Sequence, residues 1–525
     1  MRARAAAAAI GLSVALVAGG AAGQGRVIVK NYPTGAVYEG TFREGRQHGH
    51  GVYRQPDGYV YEGDWVEGRI EGEGRAQFPD GSVYEGAFVA GKPEGQGKIT
   101  YPGGGGYEGE WRAGVNEGQG IATFADGGRY EGAFVAGRQE GRGVYVAPDG
   151  SRHEGTWKAG RLEGEGRIVY ADGSVYEGAL VAGAPDGEGR LTRPDRSVYE
   201  GAWVAGVRQG RGVLRGADGD VYAGDWVAGR REGQGRAAFA SGEVYEGGFA
   251  ADRFSGQGTL TRADGAAQSG TWVEGRLVGE GRIAYADGAV YEGGLADGQP
   301  DGAGVLVRPD GARYEGTWKG GRRQGEGVAV EAGGARYEGG FSNDRRAGRG
   351  RMTLADGTTL EGTWADGRLE GPGVAVYASG DRYEGGFVAG LPEGEGTLVR
   401  ADGSRYEGGW ARGRREGAGV AIDAEGGRYE GGFAADRRSG QGKMTFADGT
   451  VIEGVWTEGA LTGPGMAIYP NGDRYEGGFR ASVPHGSGTV RHANGDTFEG
   501  IWIDGRRQDA ATPEAEPAPG QPADP

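Results

Sequence analysis

Twenty-one times this chain returns to one register. Aligned on its Tyr-Glu-Gly triplets, it starts anew at Tyr38, Tyr61 and Tyr84 and at every twenty-third residue after that as far as Phe498, with no insertion or deletion. Counting from each start, position 3 is Gly in all 21 repeats, and positions 12 and 14 are Gly in all 20 complete ones. Position 8 is Gly in 17 of 21 and position 21 in 19 of 20, so five positions hold 97 of the 119 glycines. Glycine at about three times ordinary usage otherwise reads as low complexity. Glycine held in phase reads as a stack of like units, each burying its apolar side only against its neighbours.

One unit, "VYEGTFREGRQHGHGVYRQPDGY" from Val37 to Tyr59, explains the phase. Tyr38, Gly40 and Phe42 alternate with Glu39 and Thr41, which is strand period. A Gly-containing turn follows, then a second strand around Gly51 to Arg54, then a "PDG" turn at Pro56 to Gly58. Each unit is a β-hairpin, and a lone hairpin is marginal, so each pairs with its neighbours into a continuing antiparallel sheet.

These residues resemble the MORN (membrane occupation and recognition nexus) repeat, and the resemblance covers Val37 to Arg507. It implies an all-β, elongated, single-layer antiparallel sheet of tandem 23-residue hairpins. "VIVKNYPTG", Val27 to Gly35, reads as the second strand of a hairpin that lacks its Gly pair, and "FEGIWIDGRR" as a last unit with only its first strand. The prediction is therefore about 42 strands.

The organisation expected is a signal peptide or N-terminal anchor over 1–23, a half-repeat cap over 24–37, the array over 38–507 and a disordered Pro/Ala/Glu-rich tail over 508–525. "MRAR" before an Ala-rich apolar run and "GGAAGQ" carries the first of these and predicts export to the periplasm or cell envelope. Zero Cys excludes disulfides and thiolate metal sites. Without Arg2 and Arg4 the chain keeps 56 basic against 74 acidic side chains, a charge of −18 that disfavours nucleic acid.

Position 5 is aromatic in 19 of 21 repeats, Leu180 and Leu295 excepted, and holds all 11 Trp. Position 1 is Tyr in 16. Both project from one face with the invariant Gly between them, so rings are expected to lie over strand glycines. That face, with Tyr61, Trp65, Trp111, Trp157, Trp203, Trp226, Trp272, Trp318, Trp364, Trp410, Trp456 and Trp502, is the predicted binding surface for a protein partner or a second copy of the chain. A carbohydrate or cell-wall surface is the other use of such rings.

Arginine doublets mark many first turns: Arg230-Arg231, Arg322-Arg323, Arg345-Arg346, Arg414-Arg415 and Arg437-Arg438. If these turns line one edge, they form a basic rim facing phospholipid head groups, a use the resemblance also implies alongside scaffolding of proteins. Position 2 is Glu in 19 of 21, but neighbouring Glu lie two strand spacings apart, too far to share one cation. None of the five His forms a recognised ligand pair, and no unique Ser, His or Asp cluster stands outside the repeat, so neither cofactor nor enzymatic chemistry is expected.

Departures from the pattern recur. Gln268, Leu360 and Ile452 replace the position-1 Tyr at four-repeat intervals, His153 lies five repeats before Gln268, and one surplus repeat falls near residues 199 to 244. Read as weak rungs, these sites should accept the consensus residues, as in Gln268→Tyr with Ser269→Glu.

Overall fold

The computed structural model describes residues 25–508, so the signal segment and all of the tail beyond its first residue lie outside the description. Among the described residues all regular elements are strands, 43 of them. They begin β1 (Ile28–Asn31), β2 (Val37–Arg43), β3 (Arg46–Arg54) and β4 (Val60–Val66), and the alternation of seven- and nine-residue strands continues to Thr497–Ile503. The count exceeds the expectation by one because the chain turns back once more. Arg506–Gln508 forms a short strand paired with Ile501–Ile503.

The chain divides into two compact units, one running to Gly242 with Phe249–Arg253, the other comprising Glu243–Gly248 and everything from Phe254. Within each, strands pair antiparallel with their sequence neighbours, a single-layer meander. β1 pairs with β2 (Ile28↔Gly40, Asn31↔Val37) as the second strand of a hairpin would.

Register explains the glycines. Inside the first hairpin Gly40 faces Gly51, and across to the next hairpin Gly51 faces Gly63. Positions 3 and 14 therefore form an unbroken row of glycines at right angles to the strands of each unit. Position 12 is needed for a different reason. The ladder slips between Gly40 and Phe42, and Gly49 forms the bulge at φ +78°; position 12 has positive φ in every complete repeat, as at Gly118 (64°) and Gly302 (106°).

The first turn has positive φ at both central residues, as at Glu44 (51°) and Gly45 (77°), the type I′ geometry of two-residue hairpins. Position 7 is usually Ala here, and holding Ala at positive φ costs about 1–2 kcal/mol. A tie from the preceding repeat offsets it: Glu94 accepts from the Ala113 N–H at 2.7 Å and Glu117 from the Ala136 N–H at 2.9 Å. The adjacent Gly68 N–H donates to the Gln47 carbonyl at 2.9 Å. At the opposite end of the hairpins the "PDG" turns close on their own Asp, as when the Ser82 N–H donates to Asp80 at 2.9 Å.

Candidate functional site

The glycine row is the floor on which the rings lie. A Cβ at Gly40 or Gly51 would stand 2.4 Å from the Tyr38 hydroxyl oxygen, so only glycine leaves room for the ring. The hydroxyl then donates to a backbone carbonyl three residues on, Tyr38 to Thr41 and Tyr61 to Asp64, both at 3.1 Å. Tryptophan is fixed from the neighbouring repeat: Trp111 Nε1 donates to the Gly97 carbonyl at 3.0 Å and Trp456 to Gly442 at 2.9 Å. The same bond, to the position-14 glycine fourteen residues back, is made by Trp65, Trp157, Trp203, Trp226, Trp272, Trp318, Trp364 and Trp410. Edge-to-face contacts join one repeat to the next, with Tyr84 meeting Phe88 at 5.0 Å and Trp111 at 5.1 Å.

The rings are consequently interior. Tyr61 is 0% exposed, and the eleven tryptophans range from 1% (Trp456) to 8% (Trp410). This corrects the expectation of a free aromatic surface: Tyr61, Trp65, Trp111, Trp157, Trp203, Trp226, Trp272, Trp318, Trp364, Trp410, Trp456 and Trp502 form the core of a sheet that has no second layer. The physical reason is the glycine row, which lets rings sink onto backbone that would elsewhere be screened by Cβ atoms.

Burial also sets a pH limit. It pushes Tyr84, Tyr130 and Tyr383 up to about 12, with the charges of nearby Glu side chains adding to the effect. A phenol whose folded pKa is raised contributes stability that is complete below its unfolded value of about 10 and is lost as pH climbs toward the folded one. Circular dichroism across an alkaline titration is expected to stay flat to about pH 10 and then fall cooperatively before about pH 12. Ionisation of the tyrosines near pH 10 with the fold intact would contradict the packing.

The rungs without Tyr are not weak. In those repeats position 10 is Leu, and nowhere else: Leu162 accompanies His153, Leu277 Gln268, Leu369 Leu360, and Leu461 Ile452. These leucines are 0–2% exposed. Each lies where the tyrosine ring would be, Leu277 Cδ1 coming within 3.1 Å of a Cβ built on Gly270 and Leu461 Cδ1 within 2.9 Å of one on Gly454. The floor is covered from the other strand, and the Gln268 amide, freed from that role, donates to the Gly298 carbonyl at 3.2 Å.

The arginine doublets do not form a single rim. Adjacent strand residues face opposite ways, and the register sets Trp318 against Arg323 but Lys319 against Arg322. Arg230, Arg322, Arg345, Arg414 and Arg437 lie exposed on the outer face, with 67% of the Arg345 side chain and 64% of the Arg437 side chain in solvent. Arg231, Arg323, Arg346, Arg415 and Arg438 fold over the rings instead, Arg438 at 4.4 Å from the Trp456 ring and Arg346 at 5.1 Å from Trp364.

Three of these ring-face arginines meet an Asp that stands where the turn Gly is expected. Arg323 donates its backbone N–H to Asp344 at 2.9 Å and Nη2 to the Asp344 carbonyl at 2.6 Å. Arg231 with Asp252 and Arg415 with Asp436 repeat the clamp. Asp344→Ala is expected to lower stability by about 1–2 kcal/mol in urea melts, whereas Asp344→Gly, which relieves a φ of +70°, should cost less.

The outer face carries the acidic column in ion pairs, Arg75–Glu85 and Lys98–Glu108 both at 3.1 Å and Arg313–Glu315 at 2.6 Å. No cluster of His, Asp or Glu with metal-holding geometry is present among the described residues. What the sequence reading missed is a row beside the type I′ turns. Val66, Val89, Val135 and Val227 are 48–52% exposed and pair directly with Arg69, Lys92, Arg138 and Arg230. The signal was present at positions 6 and 9, each unremarkable until the pairing set them side by side.

A single-layer meander of like hairpins, floored with glycine and covered with its own rings, defines a tandem repeat array. A MORN repeat family model matches twenty segments from 38–58 to 475–497, and the chain belongs to the MORN repeat family. A search of curated proteins finds no match. Among solved structures, the TCP10 domain of Danio rerio CPAP in complex with a peptide of STIL is 14% identical, aligns over 52% of this chain and 98% of its own, and gives a TM-score of 0.21. The SAS-4 (dCPAP) TCP domain in complex with a proline-rich motif of Ana2 from Drosophila melanogaster is 14% identical over 34% and 85%, at a TM-score of 0.19. At such TM-scores these likenesses carry no argument about this chain.

Proposed function

We propose that the chain is an exported, non-enzymatic repeat scaffold that binds protein, including further copies of itself, through the valine-and-cation row of its outer face. The observation that carries this reading is the pairing of half-exposed valines with basic side chains at 23-residue spacing. Single exposed apolar residues are ordinary, but a row of them in fixed register on a rigid sheet is a surface that a partner can follow.

Size-exclusion light scattering of the chain without residues 1–23 is expected to give a dimer or larger species. Val89→Glu with Val135→Glu should shift it toward monomer, leaving the melting temperature within a few degrees because both side chains are half exposed. A parent protein that is strictly monomeric at all concentrations and captures nothing would sink the reading.

The same row supports one further use. Valines interleaved with Arg and Lys on one face fit an anionic membrane surface, where each basic side chain contributes about 1 kcal/mol. Sedimentation with phosphatidylserine vesicles at low salt separates the two uses, since a lipid-binding row pulls the parent down and the double Glu variant not at all.

A further inference from the structure

The surplus repeat breaks the arginine clamp. Arg208 lies over the Trp226 ring at 4.2 Å from its centroid and donates Nη2 to the Gly229 carbonyl at 2.8 Å, the backbone bond that Arg231, Arg323 and Arg415 make to their Asp. The position that is Asp252, Asp344 or Asp436 in those repeats is Gly229 here. No carboxylate lies within 4 Å of the Arg208 or Arg193 side chain among the described residues. Burial, and after it the charge of Arg193, pushes the Arg208 guanidinium below its ordinary value. Arg208 is thus half-buried beside another cation, with Nη2 on the Gly229 carbonyl and no carboxylate in ion-pair range to balance its charge.

The surroundings form a trough. A cavity of about 300 Å³ is lined by Arg193, Tyr199, Trp203, Arg208 and Leu214 among others, with no acidic residue in its wall. A second, of about 270 Å³, shares Arg208 and Leu214 with it, extends over Tyr222 and Trp226 to Arg231, and has Asp218, Asp220 and Asp252 in its wall.

We propose that this trough docks an extended acidic peptide segment of a partner protein, its carboxylates pairing with Arg193 and Arg208 and its apolar side chains lying along Leu214 and the ring edges. A planar carboxylate matches one guanidinium edge in a two-bond pair. Asp218, Asp220 and Asp252 line the second cavity, so the peptide's carboxylates belong in the first, at Arg193 and Arg208, and its uncharged side chains in the second. Two cavities side by side across successive hairpins offer length along one direction, which an extended chain fills and a compact anion does not. The site is on the ring face, independent of the outer valine row.

The test uses the full chain and a fluorescein-labelled deca-glutamate peptide, followed by anisotropy at low salt. The parent is expected to bind, and Arg193→Gln with Arg208→Gln to weaken binding by about tenfold or more. Gly229→Asp is the sharper variant, because it installs the carboxylate that three other repeats already hold. It should abolish peptide binding with no loss of melting temperature, which separates a filled site from a damaged fold. Arg323→Gln, in a clamp already closed, should leave the peptide affinity within about twofold. Equal binding by parent and Gly229→Asp would overturn the proposal. So would binding of pyrophosphate or phosphatidylserine vesicles at this site with none of the peptide.

Discussion

Gly97→Ala is expected to cost about 3 kcal/mol or more, in a chain where most surface substitutions cost less than about 0.5. The added Cβ would lie 2.1 Å from the Tyr84 hydroxyl oxygen and 2.5 Å from its ring carbon Cζ, and that ring is fully buried. Moving it breaks the hydroxyl bond to Ala87, 3.0 Å long, and the edge contacts to Phe88 and Trp111. Gly91→Ala supplies the comparison. That glycine is in the type I′ turn at φ +80° with nothing within 4 Å of a Cβ, so the penalty is the backbone term alone, about 1–2 kcal/mol. Urea melts of the two variants, six residues apart, measure the floor against the turn. Equal losses would mean that the ring does not need the glycine.

The second large effect reverses a sequence expectation. Gln268→Tyr restores the consensus, yet it is expected to destabilise by about 1–3 kcal/mol, because Leu277 already covers Gly270 and a ring placed there overpacks the site. Removing the cover instead, in Leu277→Ala, should cost about 2–5 kcal/mol, since the side chain is 1% exposed. Gln268→Tyr with Leu277→Gln should recover the loss, because Gln47 and Gln139 hold that place beside Tyr38 and Tyr130. Recovery in the double variant but in neither single one is the signature of two residues competing for one volume. Additive losses would reject the exchange.

The hairpin and the places of its turns were legible in the residues, because glycine at fixed intervals is a backbone requirement and backbone requirements are local. The Gly-containing turn at Glu44-Gly45 and the strand alternation at Tyr38, Gly40 and Phe42 needed no knowledge of neighbours; that the turn is type I′ came from its φ angles. The side to which the rings belong was legible as well. Their depth was not, since burial depends on how closely strands approach, and that followed only once Gly40, Gly51 and Gly63 were seen in one row. The doublet Arg322-Arg323 was read as one feature although strand period already divides it between two faces. Leu277 was missed because its partner is Gln268, nine positions away in the repeat and on the opposite strand; the pair is visible in the sequence only to a comparison of columns 1 and 10 across units.

The ties between one type I′ turn and the hairpin before it span nineteen or twenty-one residues, as from Glu94 to Ala113 and from Gln47 to Gly68, and the tryptophan bonds span fourteen. Nothing in such a hairpin waits for a residue far along the chain. Low sequence separation of contacts is the condition for fast folding, and here it does not worsen as repeats are added. A chain emerging N-terminus first can therefore set each hairpin as soon as the next one follows it, so that the time to assemble grows with length only as fast as the chain itself is delivered.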